Sequence, residues 1–169
     1  IQRALGQSHT CVLLGTGGVK CWGSNSAGAL GTGSSDPSPI SSAQTPTGLS
    51  SGVVKLAAGY EFSCAVINTG ALRCWGRNDT GQIGDNSTAD KRIPTQVVGV
   101  TSGAIDVHGA VYNLCAAVLE RAMCWGKNDT GYLGINSLIS PILKPMTVVD
   151  MLNGVTQVAA GDRHNCALV

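Results

Sequence analysis

Cys64-Ala65-Val66-Ile67-Asn68-Thr69-Gly70-Ala71-Leu72-Arg73-Cys74-Trp75-Gly76-Arg77-Asn78-Asp79-Thr80-Gly81-Gln82-Ile83-Gly84 is the stretch on which the fold turns. Two short apolar runs, 64–67 and 71–75, flank Asn68-Thr69-Gly70. A glycine there accepts positive φ, so the segment is predicted to be a β-hairpin. Folding it about its centre sets Cys64 opposite Cys74 on neighbouring strands. Opposed Cβ atoms in an antiparallel pair lie about 4.5–5.5 Å apart. A disulfide needs about 3.5–4.5 Å, so a cross-strand bridge fits with little adjustment.

The same pattern recurs on either side. Cys21-Trp22-Gly23, Cys74-Trp75-Gly76 and Cys124-Trp125-Gly126 each open C-W-G-x-N-x-x-G-x-[LI]-G, ending at Gly31, Gly84 and Gly134. A second motif precedes each tryptophan: Gly6-Gln7-Ser8-His9-Thr10-Cys11, then Gly59-Tyr60-Glu61-Phe62-Ser63-Cys64, then Ala110-Val111-Tyr112-Asn113-Leu114-Cys115. It returns a fourth time as Gly161-Asp162-Arg163-His164-Asn165-Cys166. Self-similarity at a period of about fifty residues marks a repeat architecture. The repeats run roughly 1–52, 53–103, 104–153 and 154–169, the last incomplete. Each period holds strand-like runs such as Val53–Ala58, with a weaker fourth strand at Thr95–Val98 after Pro94 and at Thr147–Val149 after Pro145. The predicted fold is therefore all-β: a β-propeller of four-stranded antiparallel blades, three blades plus part of a fourth.

These motifs resemble the regulator of chromosome condensation repeat, the unit of a seven-bladed β-propeller. The paired cysteines resemble the bacterial, secreted branch of that family, which includes surface proteins and an inhibitor of β-lactamase. The resemblance implies a propeller that binds proteins on its faces. The family's chromatin-bound founder is an exchange factor for a small GTPase, acting through an inserted wedge and a basic tail. Neither matches a segment of this sequence.

Six cysteines form the couples Cys11–Cys21, Cys64–Cys74 and Cys115–Cys124, each spanning a hairpin, and are expected to be bridged. The spacings do not suit zinc, which prefers C-x(2–4)-C. Disulfides persist in oxidising compartments, so an extracellular or cell-surface location is expected. Cys166 has no partner in the sequence; its mate lies either further along a longer chain or in another molecule. The first residue is Ile, and either processing or a longer parent chain is expected to account for it. The third couple is one residue shorter, leaving Leu119-Glu120 at the turn. Neither residue favours positive φ, so strain or a slipped register is expected in that blade.

Formal net charge is +1 and charged residues make up only 12%. The largest cationic neighbour pair is Lys91-Arg92, too little to neutralise a run of phosphates, and no nucleic-acid partner is expected. No apolar run reaches the roughly 18 residues of a membrane span. The glycines lack a P-loop lysine, and no nucleophile clusters with a base, so neither cofactor, metal nor enzymatic activity is expected. Trp22, Trp75 and Trp125 are expected to pack between blades with their indole N–H bonded to backbone. Asn25, Asn78 and Asn128 suit side-chain bonds to their own loops. His9 and His164 are expected to bond loop carbonyls; Asp106 and His108 lie close enough on one strand to share a face.

Asn78, Asn86 and Asn128 begin N-x-[ST] sequons and are candidate glycan carriers. The least repeat-like segments, 32–47, 85–93 and 135–144, are the expected interaction loops. Asp36, Asp90, Lys91, Arg92, Ile135, Leu138 and Ile139 are the residues to test. The apolar set Ile135, Leu138, Ile139 and Ile142 is expected to fold over the core rather than form an interface. Three and a third repeats leave blade faces open, so further repeats or copies are required to cover them. The leading functional expectation is a secreted or surface scaffold for a protein partner. The alternatives are a self-assembling fibre or surface-layer subunit, and a GTPase exchange factor or chromatin-binding protein.

Overall fold

A computed structural model describes residues 1–169 and contains no helix. Three four-stranded antiparallel sheets follow one another. The first comprises β1 (Gln2–Leu5), β2 (His9–Leu13), β3 (Val19–Asn25) and β4 (Asp36–Gln44). The second comprises β5 (Val53–Ala58), β6 (Phe62–Ile67), β7 (Leu72–Gly76) and β8 (Lys91–Gln96). The third comprises β9 (Ala104–Gly109), β10 (Asn113–Val118), β11 (Arg121–Gly126) and β12 (Ile142–Thr147). A two-stranded sheet, β13 (Gln157–Ala160) and β14 (Asn165–Leu168), begins a fourth. The first strands β1, β5, β9 and β13 neighbour one another, which sets them around the axis of a propeller. No helix is long and apolar enough to cross a membrane.

The hairpin register is the one the cysteines require. Cys11 pairs with Cys21, Cys64 with Cys74 and Cys115 with Cys124, and all three couples are disulfide-bonded and buried. In the third blade the shortened loop keeps this register instead of slipping. Leu119 and Glu120 take φ of 49° and 63°, the pair of left-handed residues that a two-residue hairpin turn needs. The strain expected at that turn is present, and the expected register slip is not. The turn also preserves a contact made by its counterparts. Gly17, Gly70 and Glu120 each present a carbonyl to the next blade, accepting from the N–H groups of Val53, Ala104 and Val155.

The fourth strands differ from expectation. β8 and β12 begin at Lys91 and Ile142, earlier than predicted, and run through Pro94 and Pro145. β4 contains Pro37 and Pro39. Each is the last strand of its sheet, where a missing N–H faces solvent and costs no ladder bond. Proline, taken as a boundary in the sequence, is here an edge-strand residue.

Blades pack face to face through a repeated seam. Trp75 and Trp125 are fully buried, and their indole N–H groups donate to the carbonyls of Ala29 (2.8 Å) and Gln82 (2.9 Å) in the preceding blade. The closing glycine of the preceding motif makes room. A Cβ on Gly84, at φ 74°, would lie 2.6 Å from the Trp125 indole nitrogen, and one on Gly31 would lie 2.9 Å from that of Trp75. The last glycine of one repeat is thus shaped by the tryptophan of the next. Trp22, in the first of the described blades, is only half-buried.

Beside each tryptophan a second pair closes the seam. Between blades one and two, His9 Nε2 meets Ser63 Oγ at 2.8 Å. The corresponding residues between blades two and three are Phe62 and Leu114, both fully buried in one apolar cluster. Between blade three and the fourth sheet, Asn113 Nδ2 donates to Asn165 Oδ1 at 3.4 Å. Polar meets polar and apolar meets apolar. Ala110 replaces the motif glycine where it is harmless. A Cβ on Gly6, Gly59 or Gly161 would strike the ring of His9, Phe62 or His164 at 2.2, 2.1 and 2.5 Å, whereas Ala110 is followed by Asn113, which has no ring.

Candidate functional site

The strand connections divide between two ends of the blades. At one end lie the first turns, Gly6–Ser8, Gly59–Glu61, Ala110–Tyr112 and Gly161–Arg163, together with the segments that follow Asn25, Gly76 and Gly126. Backbone bonds tie the two sets: Ser24, Arg77 and Lys127 donate their N–H groups to the carbonyls of Ser8, Glu61 and Tyr112. Every tyrosine of the chain, Tyr60, Tyr112 and Tyr132, lies at this end.

The tyrosines sit in an ordered array with cations. Arg77 lies 5.8 Å from the centre of the Tyr60 ring, Tyr60 and Tyr112 are 5.6 Å apart, and Lys127 lies 5.3 Å from Tyr112. A cation over each ring face is held by the ring quadrupole. Carboxylates fix the cations from the side. Arg77 pairs with Asp79 at 2.6 Å and with Glu61 at 3.0 Å; Lys127 pairs with Asp129 at 3.0 Å. The hydrogen bond from Arg77 holds the Asp79 carboxyl below its ordinary range, and the bonds to Asp79 raise the Arg77 guanidinium in turn. Ser140 and then Lys127 do the same for Asp129. Burial, then the charges of Asp129 and Asp162, raises the Tyr132 phenol. Each of these cations is ion-paired, so the face presents aromatic surface with polar edges.

Two hollows open here. One, of about 510 Å³, lies at the mouth of the axis, between Leu5, Gly59, Tyr60, Ala110 and Ala160. The other, of about 400 Å³, separates blade three from the fourth sheet and is walled by Tyr112, Lys127, Asp129, Tyr132 and Arg163. Between the earlier blades the matching position is filled: Glu61 accepts from Ser26 Oγ, and Tyr112 stacks on Tyr60. Arg163 occupies that position in the fourth sheet and stays exposed.

The sequence-derived candidates fall differently. Asp36 starts β4, and Lys91 and Arg92 lie in β8, so these belong to edge strands and not to loops. Lys91 bonds Asp85 at 2.8 Å, and the Asp90 carboxylate caps the Asn78 N–H at 2.9 Å. Ile135 and Ile142 pack partly against the third core cluster, but Leu138 and Ile139 are 76% and 70% exposed, against the expectation that the group covers the core. Asn78 and Asn128 are fully buried. Asn78 Nδ2 donates to the carbonyls of Ser87 and Ala89, and Asn128 Nδ2 to those of Ser137 and Ile139. Their Oδ1 atoms accept from Ile83 and Leu133. Both are loop locks, as is Asn25, and neither presents an amide to a glycan; Asn86, at φ 63°, is exposed.

The histidines correct another expectation. His9 bonds a serine hydroxyl across the seam instead of a loop carbonyl, and His164 is exposed. Asp106 and His108 both reach from β9 to β13, accepting from the N–H groups of Val158 (3.0 Å) and Ala160 (3.1 Å). They join blades, and Lys55 balances Asp106 at 3.3 Å. Cys166 is exposed and unbridged. The tyrosine array escaped the sequence reading because Tyr60 and Tyr112 occupy adjacent, not identical, repeat positions. A count of tyrosines per motif end carries the only hint.

Two forms of the family model described as the Regulator of chromosome condensation (RCC1) repeat match the chain, one over residues 4–29 and 53–82, the other over 69–116 and 122–168. The chain is 32% identical to the probable E3 ubiquitin-protein ligase HERC4 of Mus musculus, over 100% of this chain and 16% of that protein. It is 30% identical to the probable E3 ubiquitin-protein ligase HERC3 of Homo sapiens over the same shares. The chain thus spans a small part of the curated relatives it matches. Among solved structures it superposes on yeast RCC1 (Prp20), crystallised bound to Kap60, with a TM-score of 0.85 at 20% identity, covering 98% of this chain and 41% of that one. Human WBSCR16 gives 0.83 at 22% identity, covering 99% and 44%. These neighbours share the propeller fold.

Proposed function

From a chain that belongs to the RCC1 repeat family, a propeller suited to protein interaction, we propose an extracellular or cell-surface scaffold that holds a protein partner and catalyses nothing itself. The observation that carries this reading is the gathering of all three tyrosines with Arg77, Lys127 and Arg163 on one face, beside two hollows. Tyrosine and arginine dominate the energetics of protein contacts because they bring large, stiff, amphipathic surface. The array is held in place by its own ion pairs, so little ordering is left to occur on binding. One solved relative, yeast RCC1 (Prp20), seen with Kap60 and studied for binding to Gsp1p and histones, supports protein contact as the family's habit. Three buried bridges support an oxidising compartment.

The test has two arms. Partners captured on the immobilised chain are compared with those captured on Tyr60→Ala/Tyr112→Ala; the same set on both rejects the tyrosine face. Peptide mapping without reductant, on protein from its native source, checks location; free thiols at Cys64 and Cys74 reject it.

A further inference from the structure

A polar hollow of about 390 Å³ lies between blades one and two, both of them complete. Ser26, Ala27 and Ser35 of the first blade and Thr88, Asp90 and Arg92 of the second line it. That size falls within the range of small-molecule sites, which starts at about 300 Å³. Arg92 lies in β8, and its stem is seated on Gly28. A Cβ on Gly28 would lie 2.8 Å from Arg92 Cα and 3.0 Å from its Cγ. Gly33 fixes the strand by donating its N–H to the Arg92 carbonyl at 2.8 Å.

The joint between blades does not itself require these charges. At the next seam Asn86 donates its N–H to the carbonyl of Leu143, and a Cβ on Gly81 would lie 3.1 Å from Leu143 Cα. Leucine thus fills the place of Arg92. Asp90 Oδ1 caps the Asn78 N–H at 2.9 Å, and the Ser140 hydroxyl performs the same duty for Asn128 at 3.0 Å. A neutral oxygen suffices for the cap. Lys91 is held by Asp85, but the guanidinium of its neighbour Arg92 has no partner within the chain and keeps its five N–H donors. The hydroxyls of Ser35 and Thr88 are likewise unspent, as is Asp90 Oδ2. Ser26 is committed, donating to Glu61 Oε1 at 2.9 Å.

One free cation, one free carboxylate oxygen and two free hydroxyls call for a ligand with one negative charge and several hydroxyls. A bare oxyanion would satisfy Arg92 but meet the charge of Asp90. A neutral sugar would satisfy Asp90 and leave the guanidinium fork without its matching carboxylate. We propose that the hollow binds an acidic saccharide of the uronic-acid class. Its carboxylate pairs bidentately with Arg92. Its ring hydroxyls donate to Asp90 Oδ2 and exchange hydrogen bonds with Ser35 and Thr88. The hollow shares no residue with the tyrosine array, so it stands whether or not that face holds a protein.

The probes are glucuronate, glucose, acetate and inorganic phosphate, titrated at millimolar concentrations into the intact chain and followed by NMR of its backbone amides and the Arg92 side-chain N–H. Glucuronate should move the signals of Ser35, Thr88 and Arg92 and bind about tenfold more tightly than glucose or acetate, the worth of one charge-assisted bond. Arg92→Gln, which keeps a stem over Gly28, and Arg92→Leu, which copies the next seam, should each remove that preference without changing the thermal midpoint. Asp90→Asn keeps the cap oxygen; it should weaken glucuronate while leaving acetate unchanged or tighter. Equal binding of glucuronate and glucose, unchanged glucuronate binding in both Arg92 variants, tighter glucuronate binding in Asp90→Asn, or phosphate competing as well as glucuronate would overturn the proposal.

Discussion

Alanine at Gly84 and at Gly134 should destabilise the fold by clearly different amounts. The two glycines occupy the same motif position, with φ of 74° and 70°. Forcing an L-residue into that region costs about 1–2 kcal/mol at either site, so the strain cancels in the comparison. What differs is the space. At Gly84 the new methyl lies 2.6 Å from the Trp125 indole nitrogen, with two further ring atoms at 3.1 Å. The indole is fully buried and bonded to Gln82 O, so it cannot retreat without breaking that bond. Overpacking of this kind costs about 1–3 kcal/mol more. At Gly134 the nearest atom is a Val148 methyl at 3.1 Å, which has room to move. Gly84→Ala should therefore lose about 2–5 kcal/mol and Gly134→Ala about 1–2 kcal/mol. At this chain length, 1 kcal/mol shifts the thermal midpoint by about 2–4 °C. Urea and thermal unfolding of both variants, followed by Trp fluorescence, measure the gap; Gly31→Ala, with its methyl 2.9 Å from the Trp75 nitrogen, should resemble Gly84→Ala. Equal losses at Gly84 and Gly134 would refute the claim that the closing glycine exists for the next blade's tryptophan.

Burial, opposed weakly by Glu61, lowers His9 to about 4 from 6.5. The unfolded chain therefore binds a proton that the folded chain refuses between those values, so stability is full above pH 6.5, falls as pH drops towards 4, and levels off below. The loss is about 3 kcal/mol, and pH-dependent urea midpoints should flatten in His9→Gln. Removing one bridge by Cys64→Ala/Cys74→Ala should cost about 2–3 kcal/mol from the unfolded chain's freedom, read by calorimetry; no loss would mean the bridge constrains nothing. Replacing Leu119-Glu120 by Asn-Gly should raise the urea midpoint, worth about 1–2 kcal/mol, because both residues now sit at positive φ that Asn and Gly accept.

The blade, its hairpin register and its sulfur pairs were legible because they obey local rules: a turn glycine, facing cysteines and strict recurrence. Trp75 and Trp125 were legible for the same reason, with their backbone acceptors. The surface was not. Asn78 and Asn128 look like glycan acceptors in one dimension, and only the folded loop shows their amides spent on Ser87, Ala89, Ser137 and Ile139. Lys91 and Arg92 were placed in a loop because prolines were taken as strand limits; an edge strand removes that prohibition. His9 misled for a different reason. Its partner, Ser63, lies a full repeat away, and the matching position in the next seam is apolar, so no single repeat reveals the pairing.

That pairing has a consequence for how such a chain changes over time. Identical modules can be shuffled, duplicated or deleted without penalty, but these modules carry matched keys on their flanks: histidine with serine, phenylalanine with leucine, asparagine with asparagine. Exchanging the first two repeats would set the His9 imidazole against Leu114 and the Phe62 ring against Thr10. The order of blades is thus written into the joints themselves, and recombination between repeats must alter both sides of a joint together or leave a mismatched one behind.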